Sequence, residues 1–174
     1  CPKYVKKVFE NVQKLIRNQK IIAGHDISSG GLVTTILELC FSNNNLGAKI
    51  DLTNLGEKDT IKVLFAENSG IVFQAVDDSV EKDFKTSGID VIKIGSVLNK
   101  SSLILNNFEN QYCLDIEKYR DFWYETSYLL DSKQTANGLS KARYDNFKNQ
   151  PLSFNFPINF SGEVNEKETN YYRP

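Results

Sequence analysis

The sequence predicts a mixed α/β domain in which helices are layered against a sheet. Three observations carry that expectation. Segments with apolar residues every three or four positions alternate with short runs rich in β-branched residues. Two of the later runs lie close enough to pair as a hairpin, which argues against a fully parallel, doubly wound sheet. The composition, 40% hydrophobic and 25% charged over 174 residues, is that of an ordinary soluble globular domain with enough chain to bury a core.

The elements follow in order. Val5, Val8, Phe9, Val12, Leu15 and Ile16 mark one face of a surface helix over Pro2 to Arg17, with proline in the first turn. Ile21 to Ala23 reads as a strand, GHDISSGG as a loop and LVTTILELCF as a buried helix. A short strand is expected at Lys49 to Leu52, a helix at Asp59 to Ala66 and a strand at Gly70 to Val76. Ser79 to Thr86 reads as a helix capped by its own serine and closed by Gly88. Asp90 to Val97 alternates as a strand, and Ser102 to Leu105 pairs with Gln111 to Asp115 across NNFEN. One sheet of five or six strands is expected. Tyr119, Trp123, Thr126 and Leu130 recur at helical spacing from Ile116 onward, and a last helix spans about Leu139 to Phe147.

Composition changes after Gln150, where Pro151, Pro157, Pro174 and the polar run Glu163 to Asn170 replace core patterning. Residues 1–150 are therefore expected to form the domain. Residues 151–174 are expected to be an extended linker in which Phe154, Phe156, Ile158 and Phe160 alternate against a surface. The start at Cys1 and the abrupt YYRP ending suggest a piece of a longer polypeptide.

Charge and cysteines narrow the function classes. With 21 basic against 22 acidic residues, no basic field draws the chain to a nucleic acid. Cys1, Cys40 and Cys113 are odd in number and far apart, so neither a disulfide framework nor a zinc cluster is expected, and a reducing cytoplasm fits. No window approaches the roughly 20 apolar residues that span a bilayer, so no membrane partner is expected.

The densest chemistry lies in Gly24, His25, Asp26, Ile27, Ser28, Ser29, Gly30 and Gly31. A helix start offers unpaired amides and partial positive charge, glycines let a ligand approach the backbone, and serine hydroxyls add hydrogen bonds to phosphate. Asp26 would repel a lone anion, but a Mg²⁺ between them reverses that. The plain reading is that a serine caps the helix while Asp26 and the glycines serve a tight turn. Both stand on residue types alone, and neither GxxxxGK[ST] nor GxGxxG is present. His25 is expected to be structural, since sequence neighbours do not build a Ser-His-Asp relay and no G-x-S-x-G elbow occurs. Cys40 and Cys113 are expected to be buried small hydrophobes. Tyr119, Trp123 and Tyr128 are expected in the core; Glu67 either closes its short helix or faces a ligand, the first being the plainer reading.

GHDISSGGL, TTILELCFSNN and LFAENSGIVFQ, supported by FWYETSYLLDSKQ, ARYDNFKNQPLSFNFP and the final YYRP, resemble the phosphoribosylformylglycinamidine synthase family of purine biosynthesis. The resemblance covers nearly the whole chain and points to the second C-terminal-type domain of the synthetase part. It implies an α/β/α domain with a mixed sheet, similar to the C-terminal domain of aminoimidazole ribonucleotide synthetase.

The implied reaction has ATP activate the amide oxygen of formylglycinamide ribonucleotide. Ammonia from glutamine then displaces phosphate. Mg²⁺ and ATP or ADP are the implied cofactors, and the other synthetase domains and a glutaminase domain are the implied partners. The family's motif makes Asp26 a magnesium ligand and Ser28 a nucleotide contact, and the loop's geometry adds Gly30 and Gly31. Ser29 and Asn68 depart from acidic residues common in the family. An isolated fragment is expected to be inactive. The alternative is a structural or interaction domain holding a non-catalytic nucleotide.

Overall fold

The computed structural model describes residues 2–136 and 138–149. The expected linker, residues 151–174, lies outside them, as does Cys1. Among the described residues the α-helices and strands follow the chain as α1 (Pro2–Arg17), β1 (Ile21–Asp26), α2 (Gly31–Phe41), β2 (Gly47–Asp51), α3 (Thr60–Phe65), β3 (Ile71–Ala75), α4 (Ser79–Thr86), β4 (Gly95–Leu98), β5 (Ser102–Asn107), β6 (Asn110–Asp115), α5 (Ile116–Gln134) and α6 (Leu139–Asn146).

The strands make two sheets rather than one. β1 and β3 form an antiparallel ribbon, while β4-β2-β5-β6 form a mixed sheet in which only the β2–β5 pairing is parallel. The separation has a packing cause. Ile21, Phe73 and Ala75 on one ribbon face pack with Leu15 of α1 and with Val80 and Phe84 of α4. Val72, from the other face, joins Leu32, Val33, Ile36 and Leu37 of α2, and the same cluster takes Ile50, Leu103 and Leu105 from the mixed sheet. Helix α2 therefore serves ribbon and sheet at once, which explains why LVTTILELCF is apolar over most of its circumference.

The two cores also account for the shortened fourth strand. Expected over Asp90 to Val97, it occupies only Gly95–Leu98. Ile89 and Val91 feed the ribbon's core and Ile94 the other, so the alternation there reflects a crossing between two clusters. The first hairpin strand runs on past Leu105 to Asn107, and the turn closes at Phe108 with φ of 50°. Ser79 does not cap α4: its amide donates to Asp77 Oδ1 at 2.8 Å, an Asx turn that takes over the role.

Cys113 is exposed, against expectation, because its position on β6 faces away from the core. Cys40 is partly buried, and burial pushes its thiol up to about 11, so little thiolate forms at neutral pH. The α5 aromatics also depart from the core expectation. Trp123 is 52% exposed, and the stripe is spent on other rings, with Tyr128 against Tyr144 of α6 at 4.5 Å between centroids. Arg143 clamps α6 to α5 through Asp131 at 2.6 and 2.9 Å. The Arg143 hydrogen bond holds the Asp131 carboxyl below the usual carboxylate range.

Candidate functional site

The loop between β1 and α2 is held from three sides. Thr35, buried on α2, donates its hydroxyl to the Asp26 carbonyl at 3.3 Å and so ties the helix to the strand end. The Ile27 amide donates to the Gly70 carbonyl at 2.8 Å. Gly31, at φ of 73°, presses on α3 so closely that a Cβ would lie 2.7 Å from the Leu64 carbonyl oxygen. Helix α3 is itself anchored by Asn107, whose Nδ2 donates to the Glu57 and Lys58 carbonyls and to Thr60 Oγ1. The mixed sheet thus fixes a wall of the loop through one buried amide.

His25 and Asp26 end β1, and their side chains have different surroundings. His25 turns toward α2, where Nε2 lies 3.1 Å from Glu38 Oε2, while Nδ1 lies 2.6 Å from the Asp26 carbonyl oxygen. The other oxygen of Glu38 accepts from Trp123 Nε1 at 2.9 Å. His25 is held by contacts within the protein, with partners that the sequence alone did not identify. Their signal was present: Glu38 is the one charge in an otherwise apolar helical run.

Asp26 has 77% of its side chain exposed, with Oδ1 3.7 Å from His25 Nδ1. The carboxylate therefore stands at the open end of the strand, beside the loop. Neither serine caps α2. The N-cap is Gly30, left-handed at φ of 87° and without a side-chain cap. Ser28 and Ser29 are exposed, and their hydroxyls have no hydrogen-bond partner among the described residues.

The two glycine amides are already bonded, so neither is a free donor at the helix start. Gly31 N donates to the Ser28 carbonyl at 3.0 Å. Gly30 N donates to Glu67 Oε1 at 2.8 Å. Glu67 therefore reaches across to the loop instead of closing α3, whose C-cap is Ala66.

The donor set fits a hydrated divalent cation bridged to a phosphate, with one open carboxylate and two unspent hydroxyls on a rigid, left-handed turn. It does not fit a protein-only metal cage. Among the described residues no group of three or more His, Cys, Asp or Glu side chains is placed to hold a metal.

Fold and loop together define a layered α/β domain organised around a glycine-rich junction of strand and helix. The model of one family, AIR synthase related protein, C-terminal domain, matches residues 2–106. The chain belongs to that family. It is 33% identical over 135 residues to the probable phosphoribosylformylglycinamidine synthase, chloroplastic/mitochondrial, of Arabidopsis thaliana, a match covering 75% of this chain and 10% of that protein. It is 29% identical over 140 residues to the phosphoribosylformylglycinamidine synthase of Homo sapiens, covering 76% of this chain and 10% of that protein.

The chain thus spans about a tenth of the length of these curated relatives. Thermotoga maritima PurL complexed with FGAR superposes with a TM-score of 0.57 at 15% identity, over 66% of this chain and 20% of that one. The same protein complexed with ADP gives 0.55 at 16% identity, over 64% and 21%. These likenesses bear out the layered α/β fold with its mixed sheet. No helix among the described residues is long and apolar enough to cross a membrane.

Proposed function

We propose that this chain is the second C-terminal-type domain of a phosphoribosylformylglycinamidine synthase, contributing one wall of a magnesium and nucleotide site. The observation that supports the reading is that Asp26 and Ser28 stand open side by side at the loop: neither serine caps α2, and the Asp26 side chain is 77% exposed.

In this reading Asp26 binds the cation, Ser28 donates to a phosphate oxygen, and Gly30 and Gly31 set the turn that brings both to the ligand. Bound Mg²⁺ neutralises phosphate charge beside a carboxylate that would otherwise repel it. Because magnesium takes several oxygen ligands, the remainder come from the nucleotide, water and the neighbouring synthetase domains. A glutaminase domain supplies ammonia in the same polypeptide or assembly, and the surroundings are cytoplasmic or an organelle interior.

The test is an assay of the full-length protein with formylglycinamide ribonucleotide, ATP, Mg²⁺ and glutamine. The expected result is formylglycinamidine ribonucleotide formed with ADP, phosphate and glutamate, and no turnover by the 174-residue chain alone. Failure of the full-length protein to form the amidine while other ATP-dependent ligations proceed contradicts the proposal.

A further inference from the structure

Glu67 meets the loop from outside it and has no role in the proposed ligand set. Its carboxylate accepts the Gly30 amide at 2.8 Å, although its side chain is exposed and comes from the connection between α3 and β3. A carboxylate on a backbone amide at a helix start makes the same charge-assisted hydrogen bond that a phosphate oxygen makes there. We propose, resting on the nucleotide reading above, that Glu67 regulates that same site. Its carboxylate holds the anion position on the Gly30 amide, and a nucleotide phosphate binds by displacing it.

Two features of the structure carry this beyond a simple structural contact. The connection does not depend on Glu67 to stay against the loop, because the Ile27 amide bonds the Gly70 carbonyl and Gly31 packs on Leu64 and Phe65 independently. Releasing the carboxylate therefore leaves the wall standing. The other glycine amide is bonded within the loop to Ser28, so Gly30 is the amide whose partner can be exchanged without unwinding the turn. The exchange also sets a threshold. A lone carboxylate or other weak monoanion replaces like with like and gains nothing. A polyphosphate carrying a cation gains Asp26 and Ser28 as well, so the site is selective for a nucleoside di- or triphosphate with its metal.

Titration calorimetry of Mg²⁺–ADP into the full-length protein tests the displacement, with Asp26→Asn marking which binding belongs to this site. Removing the competing charge is expected to tighten the Asp26-dependent affinity about tenfold in Glu67→Ala. About threefold is expected in Glu67→Gln, which keeps an acceptor on Gly30 without the charge. The glutamine variant decides the matter if the alanine variant does not fold. Asp26-dependent binding that is unchanged or weaker in natively melting Glu67 variants contradicts the displacement alone. An absence of any Asp26-dependent binding in the unsubstituted protein removes the nucleotide reading and this inference with it.

Discussion

Asp26→Asn in the full-length protein is expected to weaken Mg²⁺–ADP binding at this loop by about 10- to 100-fold, the range seen when a metal site loses even a supporting group. The substitution keeps size and one oxygen and removes the charge that the cation requires. It should leave the fold alone. With 77% of the side chain in solvent and no packing role in either core, its effect on unfolding free energy should stay within about 0.5 kcal/mol. The two readouts also separate the readings of the domain. A catalytic site loses kcat along with nucleotide affinity, whereas a nucleotide held only for assembly shows loss of thermal stabilisation by Mg²⁺–ADP with little kinetic change.

Gly31→Ala is expected to cost about 3 kcal/mol of stability in urea unfolding, combining a left-handed backbone penalty with overpacking. The new Cβ would lie 2.7 Å from the Leu64 carbonyl oxygen, 2.7 Å from the Phe65 carbonyl carbon and 2.8 Å from Phe65 Cα. All three are backbone atoms that cannot swing aside. Gly56 provides the comparison, since its φ of 79° is just as left-handed but no atom lies within 4 Å of a Cβ there. Gly56→Ala should show the backbone penalty alone, about 1 kcal/mol. Equal costs at the two positions would mean that the contact with α3 does not constrain the loop.

Much of the fold was legible because its elements obey local rules. The helical spacing of Val8, Val12 and Leu15 located α1, and the apolar circumference of LVTTILELCF identified a buried helix. β-Branched and aromatic content located β3, and the Asn-rich turn between them located β5 and β6. Which sheet a strand joins was not legible, because pattern reports that a face is buried and not what buries it. Val91 and Ile94 fall in a stretch that alternates as one strand would, yet they serve different cores.

At the site, residue types in GHDISSGG pointed to the loop but left open whether a serine caps the helix. Only the backbone shows that Gly30 takes that place. The partners of the loop were harder to find. Glu38 meets His25 from α2, and Glu67 meets Gly30 from beyond α3. Local pattern along β1 is no guide to either, because tertiary packing makes both contacts.

At the centre of the proposal, a cation at Asp26 joins a nucleotide phosphate to the turn at Ser28 to Gly31. Crystals of the full-length protein grown with ADP and Mn²⁺ in place of Mg²⁺ test it most directly, since manganese gives an anomalous signal that locates the ion. The expected result is an anomalous peak coordinated by the Asp26 carboxylate, with a phosphate oxygen shared between that ion and the Ser28 hydroxyl. A manganese site elsewhere, with the nucleotide making no contact to residues 26–31, would contradict it.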